Sequence, residues 1–185
     1  MNPITLTADS MLELWKSAKG FEPLRTDCTV SRSDGPDLDR ILTLQMRAWY
    51  VGLLNTAPFS DLPLTDIGPR LTFSERCPGS CSARMPQGCL RVASADCDTW
   101  ERPALIVTDP SSPDATAQSN PFARSGQARP VAVVSDGLLT VQPPPDGGKT
   151  RIMAVLLPDS DDIYHLTPQM LANLGVADPN LSADP

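Results

Sequence analysis

Four cysteines lie close together in the middle of this 185-residue chain, and thiolates are good ligands for zinc. They are Cys77, Cys81, Cys89 and Cys97, separated by three, seven and seven residues. Structural zinc sites usually take their ligands in two closely spaced pairs, and only Cys77 and Cys81 satisfy that spacing. Residues 89–97 are predicted to form a strand, which would hold its two cysteines roughly 26 Å apart. We therefore expect free thiols, no metal and no cofactor.

Other groups that catalyse reactions are scarce. His165 is the only histidine, so any triad built on histidine would have to use it. It follows an acidic turn at 159–162, where we expect a solvated surface side chain rather than a general base. The segment "DGGKT" (146–150) lacks the spacing of a phosphate-binding loop. The sequence therefore predicts a protein that is not an enzyme, with no catalytic residue.

The charge distribution limits the partners. The formal net charge is −7, and residues 151–185 carry one basic and five acidic side chains. A chain without a basic stripe is poorly suited to gripping phosphates, which argues against conventional nucleic-acid binding. The N-terminal residues lack a signal-peptide pattern, no run of 18 apolar residues occurs, and the five cysteines are an odd number. We expect reduced thiols in a cytoplasm and no membrane span.

Two helices are predicted in the first third of the chain. Ser10 and Glu13 fit a capping box that would begin a helix over about 8–19, ended by Gly20. Apolar periodicity predicts a second helix over about 36–55, with Pro36 in its first turn. Its core-facing stripe is predicted to comprise Leu38, Ile41, Leu42, Gln45, Trp49 and Leu53.

Short apolar runs bounded by prolines predict strands in the second half. Asp136-Gly137 is typical of a tight hairpin turn between 131–135 and 138–142, and a further strand over 151–157 would complete a three-stranded meander at about 130–157. A short helix is predicted at 167–175. The fold class is α+β, with N-terminal helices before a small antiparallel sheet. We expect one structural domain with a helical part (1–57), a loop-rich, cysteine-containing insertion (58–88), an antiparallel β part (89–160) and an acidic end segment with the short helix (161–185).

Two predicted loops carry the side chains that typically anchor protein contacts. Trp100 lies beside Arg102, and Phe122 lies beside Arg124, each pair next to prolines. Exposed aromatic and arginine side chains of this kind are enriched at interface centres. We therefore take these four residues as interface candidates. Local packing of each loop against its own core is the alternative.

The order of segments resembles that of the head-to-tail adaptor (connector) proteins of tailed bacteriophages. The resemblance covers roughly residues 36–170 and rests on segment order and short apolar-proline phrases. These phrases are Arg47-Ala-Trp-Tyr50, "LPLTDI" (62–67), Pro86 with Leu90-Arg91-Val92, Trp100-Glu-Arg-Pro103, "ATAQSNPF" (115–122), "ARPVAVVSDGLLTVQPPP" (128–145) and Leu157-Pro158. The cysteine-rich insertion departs from that pattern.

The resemblance implies a structural protein of the virion, assembled in the host cytoplasm. Its partners would be further copies of itself in a ring (a dodecamer, by the resemblance), the portal protein, and tail or nozzle proteins, with no membrane. DNA would pass through the ring without specific binding, and an acidic lining would help because like charges repel. The alternative is a small zinc-binding or regulatory module that uses "CPGSC" (77–81).

Overall fold

The computed structural model describes residues 3–21 and 38–175 of the chain. Its contacts divide the chain into two compact units, one formed by Met1–Pro63 with Pro158–Pro185 and the other by Leu64–Leu157. The described residues form a mixed α+β structure with four α-helices and several antiparallel sheet pairings. The helices are α1 (Ala8–Ala18), α2 (Leu38–Thr56), α3 (Pro113–Ala117) and α4 (Pro168–Leu174). The strands are β1 (Ile4–Thr7), β2 (Thr65–Asp66), β3 (Ser74–Cys77), β4 (Ser80–Arg84), β5 (Cys89–Cys97), β6 (Leu105–Val107), β7 (Val131–Ser135), β8 (Leu138–Gln142), β9 (Thr150–Leu156) and β10 (Ile163–Leu166).

In the first unit, α1 begins at Ala8 as predicted, but its N-cap lies three residues before the expected one. Thr7 is the N-cap, and its side-chain oxygen accepts a hydrogen bond from the backbone N–H of Ser10. Ser10 is therefore inside the helix, and the capping box predicted for Ser10 and Glu13 is wrong. The helix ends at Ala18, and Gly20 follows with a φ of +75°, the left-handed conformation that glycine adopts without strain.

Helix α2 confirms the predicted element but not its buried face. Residues 36 and 37, where it was expected to begin, lie outside the described residues. The buried side chains are Leu42, Met46, Tyr50 and Leu54, at a spacing of four residues. The predicted stripe shares Leu42 with this one but is otherwise rotated away from it, and Leu38 and Ile41 are 53% and 39% exposed. The apolar periodicity correctly predicted a helix. However, α2 has apolar residues on more than one face, so the periodicity did not indicate which face is buried.

Strands β1 and β10 form a two-stranded antiparallel ribbon in the same unit, with Thr5 opposite His165. The sequence analysis had not predicted either strand. The hydroxyl of Tyr50 accepts from the backbone N–H of His165 and donates to its carbonyl oxygen, both at 3.2 Å. A single side chain on α2 thereby pairs with both backbone groups of His165. Helix α4 follows, with Thr167 as its N-cap, and confirms the predicted short helix.

The second unit contains two sheets. In the first, β9 lies between β2 and β5, and all pairings are antiparallel. The short turn after β2 passes very close to the start of β9. A Cβ atom added at Gly68 would overlap the backbone carbonyl group of Thr150, with its carbon atom only 2.9 Å away. Only glycine fits this approach between two backbones.

The second sheet has five strands in the order β3-β4-β8-β7-β6. Strands β7 and β8 have the predicted bounds, and Asp136 and Gly137 between them have φ values of +53° and +71°. The hairpin prediction is therefore confirmed. The three-stranded meander is wrong, because β9 leaves this sheet and pairs with β5. Three prolines in a row (143–145) follow β8, and residues without an N–H cannot continue the ladder.

Two further features correct the expected antiparallel sheet. Strand β6 pairs with β7 in parallel, with Leu105 opposite Val131. The segment 74–84, expected to be loop, forms the β3–β4 hairpin, and Cys81 on β4 lies opposite Val141 on β8. The sequence of this hairpin is polar and shows no alternation of apolar and polar residues. No residue of β3 is buried, and on β4 only Ser80 and Ala83 are buried.

The five-stranded sheet has one face toward the core of its unit and one face away from it. The core cluster includes Ala132, Leu139 and Val141 from β7 and β8, together with Ile67 and Ile152. Side chains alternate between faces along a strand, so Val133, Leu138, Thr140 and Gln142 lie on the opposite face. This second face forms the floor of the cleft described below.

Candidate interaction surface

Phe122 lies at the tip of a loop that follows α3 and is 99% exposed to solvent. We refer to residues 118–125 as the Phe122 loop. A single exposed apolar side chain is common on protein surfaces. Phe122 differs from such a side chain because hydrogen bonds hold its loop in place.

The Phe122 loop is held at both ends by two polar side chains. Gln118 is 6% exposed, its side-chain nitrogen donates to the carbonyl of Asp114 at 2.8 Å, and its side-chain oxygen accepts from the N–H of Ser125 at 2.9 Å. Arg124 donates from Nε to the carbonyl of Gln118 at 3.1 Å and from Nη1 to the carbonyl of Pro78. These bonds tie the loop to α3 and to the turn between β3 and β4.

The tip itself is a compact turn. The side-chain oxygen of Asn120 accepts from the N–H of Phe122 at 3.0 Å, and its carbonyl accepts from the N–H of Ala123 at 3.1 Å. Asparagine is favoured in such turns because its side chain can replace a backbone partner. The aromatic ring is thus presented from an ordered backbone, which lowers the entropy lost when a partner binds.

Arg124 supports this loop from within the subunit. It is half-buried, and its guanidinium group is occupied by two backbone carbonyls. The sequence analysis placed Arg124 beside Phe122 as an interface candidate. The structure brings the two residues into one loop and gives Arg124 the task of fixing the position from which Phe122 projects.

Trp100 does not lie on the surface, so the expectation that it is an exposed anchor is wrong. It is 8% exposed and belongs to the core cluster of the second unit. Its backbone N–H donates to the carbonyl of Cys97 at 2.9 Å, which folds the short connection after β5 back over the core. The indole Nε1 has no hydrogen-bond partner among the described residues. Arg102, two residues later, is exposed.

A cleft of about 410 Å³ opens beside the Phe122 loop, on the outer face of the five-stranded sheet. Its floor comes from β7 and β8, and its walls come from α3 and from the end of β3. The lining is Arg76, Cys77, Ser80, Pro110, Ala115, Gln118, Ser119, Val133, Ser135, Asp136, Leu138, Thr140 and Gln142. Gln142 is 5% exposed, and its side-chain oxygen has no partner among the described residues. We refer to this feature as the sheet cleft.

The four clustered cysteines are divided between the two sheets of the second unit. Cys77 and Cys81 belong to β3 and β4, and Cys89 and Cys97 lie at opposite ends of β5. Within residues 3–21 and 38–175, no three histidine, cysteine, aspartate or glutamate side chains are placed to share a metal ion. The structure therefore does not assemble the zinc set considered from the sequence. The fifth cysteine, Cys28, lies outside the described residues.

The thiols differ in their surroundings. Cys77 is exposed and Cys97 is buried. Burial raises the pKa of the Cys89 thiol, and burial followed by the nearby carboxylates of Glu75 and Asp146 raises the pKa of Cys81. A raised pKa leaves less thiolate at neutral pH, so these two thiols are poor nucleophiles.

The first unit also presents apolar side chains to solvent. Leu38, Ile41 and Leu44 lie along one side of α2 and are 53%, 39% and 62% exposed. Position 44 follows 41, and 41 follows 38, by three residues, so the side chains are neighbours on the helix surface. His165 is half-buried in β10 rather than fully solvated as expected, and its Nδ1 lies 3.1 Å from the hydroxyl oxygen of Thr5.

An ion pair joins α2 to the acidic turn before β10. The guanidinium group of Arg47 contacts both carboxylate oxygens of Asp161. The hydrogen bond from Arg47 lowers the pKa of Asp161 below its ordinary value. Asp161 is well exposed, so water screens the pair and its contribution to stability is small.

No protein-family model matches this chain, and no curated protein matches it either. In the part of the chain that the structure describes, no helix has the length and apolar character needed to cross a bilayer.

Proposed function

We propose that this chain is a structural protein of a bacteriophage virion, a head-to-tail adaptor that forms a ring between the portal and the tail around the DNA conduit. In this role the protein associates with further copies of itself, with the portal protein and with tail proteins. It carries out no chemical reaction, and DNA passes it without specific binding. The order of segments in the sequence supports this role, and so do the Phe122 loop, the apolar side of α2, the charge of the chain and the packed five-stranded sheet.

The observation that carries the proposal is the Phe122 loop. The loop holds one aromatic side chain at full exposure, and Gln118 and Arg124 fix its backbone at both ends. Burying a phenylalanine side chain is worth about 1.5–3 kcal/mol, which the isolated subunit leaves unrealised. An ordered loop that presents such a side chain is what a permanent protein contact requires.

The apolar side of α2 is a second surface available for assembly. Leu38, Ile41 and Leu44 are each more than a third exposed. Asp39, at the start of the same helix, is paired with Lys16, and Arg47 is paired with Asp161. This side of the helix therefore offers contiguous apolar area that a partner could cover.

The charge of the chain is compatible with a DNA conduit. The net charge of −7 repels the phosphate backbone, so DNA that passes a ring of such subunits is not retained. The five-stranded sheet contributes stiffness, because its inner face is packed into the core of its unit. A ring that transmits contacts between portal and tail needs rigid subunits of this kind.

The first experiment measures the mass of the purified protein by native mass spectrometry and light scattering, over a range of concentrations. We expect an oligomer that closes as a ring, either alone or when mixed with the portal protein of the same virion. The Phe122→Ala variant should lose about 2 kcal/mol of association free energy, which is about 30-fold in affinity. A monomer at all concentrations, with and without portal protein, would refute the proposal.

The matched control is Ala123→Ser, at the neighbouring exposed position of the same loop. It keeps the loop hydrogen bonds and Phe122, so it should assemble as the unmodified protein does. Circular dichroism of both variants should show an unchanged fold, since Phe122 contacts solvent rather than the core. Equal loss of assembly in the two variants would indicate that the loop backbone, and not the aromatic ring, makes the contact.

A further inference from the structure

We propose that the solvent side of α2 binds the same side of α2 in a second copy of this chain, with the two helices antiparallel about a two-fold axis at Ala48. The inference concerns the first unit alone and does not depend on a place in the virion. It names the residues that meet, Leu44 of each copy and Gly52 of the other. We refer to Ile41, Leu44, Ala48, Gly52 and Asn55 as the outer stripe of α2.

The outer stripe lies directly opposite the buried side of the helix. The buried side chains of α2 follow one another at intervals of four residues, from Leu42 to Leu54. With about 100° of rotation per residue, the five positions of the outer stripe fall within about 40° of the line opposite those side chains. All five are exposed. The outer stripe is therefore a continuous surface along the helix.

The outer stripe carries no charge, which is unusual for the solvent side of a helix. Between Ile41 and Thr56 the one charged residue is Arg47, and it is bonded to Asp161. A helix that packs on one side normally carries charged and polar side chains on the other, whereas a helix that is apolar on both sides is covered on both. The side-chain amide of Asn55 donates to the backbone of α2 itself. The composition of α2 thus indicates a second apolar partner.

The order of side-chain sizes identifies that partner as a second copy of α2. The large residues Ile41 and Leu44 stand in the first half of the outer stripe, and Ala48 and Gly52 leave a groove in the second half. The groove is open, because a Cβ atom added at Gly52 would have no heavy atom within 4 Å. In an antiparallel pair centred on Ala48, Leu44 of each copy lies opposite Gly52 of the other. The ridge of each helix then fills the groove of its partner.

The antiparallel arrangement is the one that the outer stripe favours. A parallel pair would place Leu44 against Leu44 and leave the groove at Gly52 empty, which forfeits packing contacts. An antiparallel pair also brings the N-terminus of each helix near the C-terminus of the other, as the helix dipoles prefer. At the axis, the small side chain of Ala48 lets the two backbones approach closely.

The extent of the outer stripe predicts a weak dimer. From Ile41 to Asn55 it is about 21 Å long, and a helix is about 10 Å wide. Such a strip is well below the roughly 800 Å² that each partner buries in a standard stable complex. We therefore expect a dimer with a micromolar dissociation constant that separates on dilution. A two-fold contact is complete at two subunits, so it is distinct from the head-to-tail contacts that close a ring.

The first test exchanges the large and the small residue across the contact. Leu44→Ala removes the ridge and Gly52→Leu fills the groove, and we expect each to weaken dimerisation at least about tenfold in sedimentation equilibrium. The double variant again places a large residue opposite a small one, so its dissociation constant should return to within about threefold of that of the unmodified protein. Loss of the dimer in both single variants without recovery in the double variant would overturn the antiparallel contact.

A stability measurement separates loss of contact from loss of folding. Position 52 is open and leucine is a better helix former than glycine, so Gly52→Leu should not destabilise the isolated subunit. Urea unfolding below the dissociation constant of the dimer checks this. A destabilised subunit would show that the groove at Gly52 is occupied within the subunit, which contradicts the inference.

The second test places a thiol at the two-fold axis. Ala48→Cys is treated with a short bismaleimide, and we expect a link between position 48 of two copies, identified by peptide mass spectrometry. Adding Gly52→Leu should remove the link. Ser17→Cys, at an exposed position of α1, is the control and should give no link at the same concentration. Phe122→Ala should leave the link at position 48 unchanged, because Phe122 lies outside α2.

The outcomes separate this inference from the proposed function. A dimer linked at position 48 that forms no ring, with or without portal protein, supports the inference and contradicts the ring. A ring that gives no such link, and that tolerates Gly52→Leu, overturns the inference and leaves the proposed function standing. A protein that remains monomeric in every condition overturns both.

Discussion

Replacing Trp100 by alanine should destabilise the subunit, although sequence alone placed this residue among the interface anchors. A tryptophan side chain removes about 150–250 Å² from water when buried, which corresponds to about 4–6 kcal/mol at about 25 cal/mol per Å². Trp100 is 8% exposed, so nearly all of this area is involved. Its unpaired indole N–H offsets about 1–3 kcal/mol, and the substitution removes that penalty. We therefore expect a net loss of about 1–5 kcal/mol, centred near about 3 kcal/mol.

The assay is urea unfolding followed by circular dichroism, since the substitution removes a fluorophore. Trp100→Phe keeps an aromatic ring and removes the unpaired N–H, so it should cost less than about 1.5 kcal/mol. Phe122→Ala should change the free energy of unfolding by no more than about 0.5 kcal/mol, because the ring is exposed. A Trp100→Ala variant as stable as the unmodified protein, yet unable to assemble, would refute the core assignment and restore Trp100 as an anchor.

Three further predictions concern backbone approach, turn geometry and thiol reactivity. Gly68→Ala should destabilise the subunit by more than about 2 kcal/mol in thermal unfolding, because its Cβ would overlap the backbone of a neighbouring strand. Gly52→Ala is the control: it lies in an open position on α2 and should stabilise the subunit by about 0.5–1 kcal/mol. Equal effects of the two substitutions would contradict the close approach at Gly68. Gly137→Val should cost about 1–2 kcal/mol because its φ is +71°, and an unchanged melting temperature would contradict the hairpin. Iodoacetamide labelling at pH 7, mapped by mass spectrometry, should modify Cys77 well before Cys89. Burial raises the pKa of the Cys89 thiol, so this thiol stays protonated until a higher pH. The reverse order would contradict the burial assigned to Cys89.

The elements that depend on residues close together in the chain were predictable from the sequence. Asp136-Gly137 specified the β7–β8 hairpin, because positive φ at both positions is available to few residue pairs. The helices α1 and α2 followed from apolar periodicity, and α4 from a short apolar run after Thr167. These features depend on residues within a few positions of each other, so no knowledge of the distant chain was needed.

Strand pairing was not predictable, because it depends on partners far apart in the sequence. Strand β1 carries only four alternating residues, and its partner lies far away, with Thr5 opposite His165, 160 residues later. Strand β9 was placed beside its nearest neighbour β8, but the prolines after β8 direct the chain to β5. The polar β3–β4 hairpin was taken for a loop, since its strand conformation is imposed by pairing with β8 rather than by buried side chains.

The interface candidates also show what could and could not be predicted from the sequence. Trp100 and Phe122 stand in similar sequence, each an aromatic residue two positions from an arginine and close to a proline. Composition could nominate both but could not distinguish a side chain folded onto its own core from one held in solvent. The tertiary structure decided the matter, because the connection after β5 turns inward at Cys97 while Gln118 and Arg124 hold the other loop away from the core. The exposure of a side chain is a property of the whole fold, and the sequence by itself determined only which residues were available.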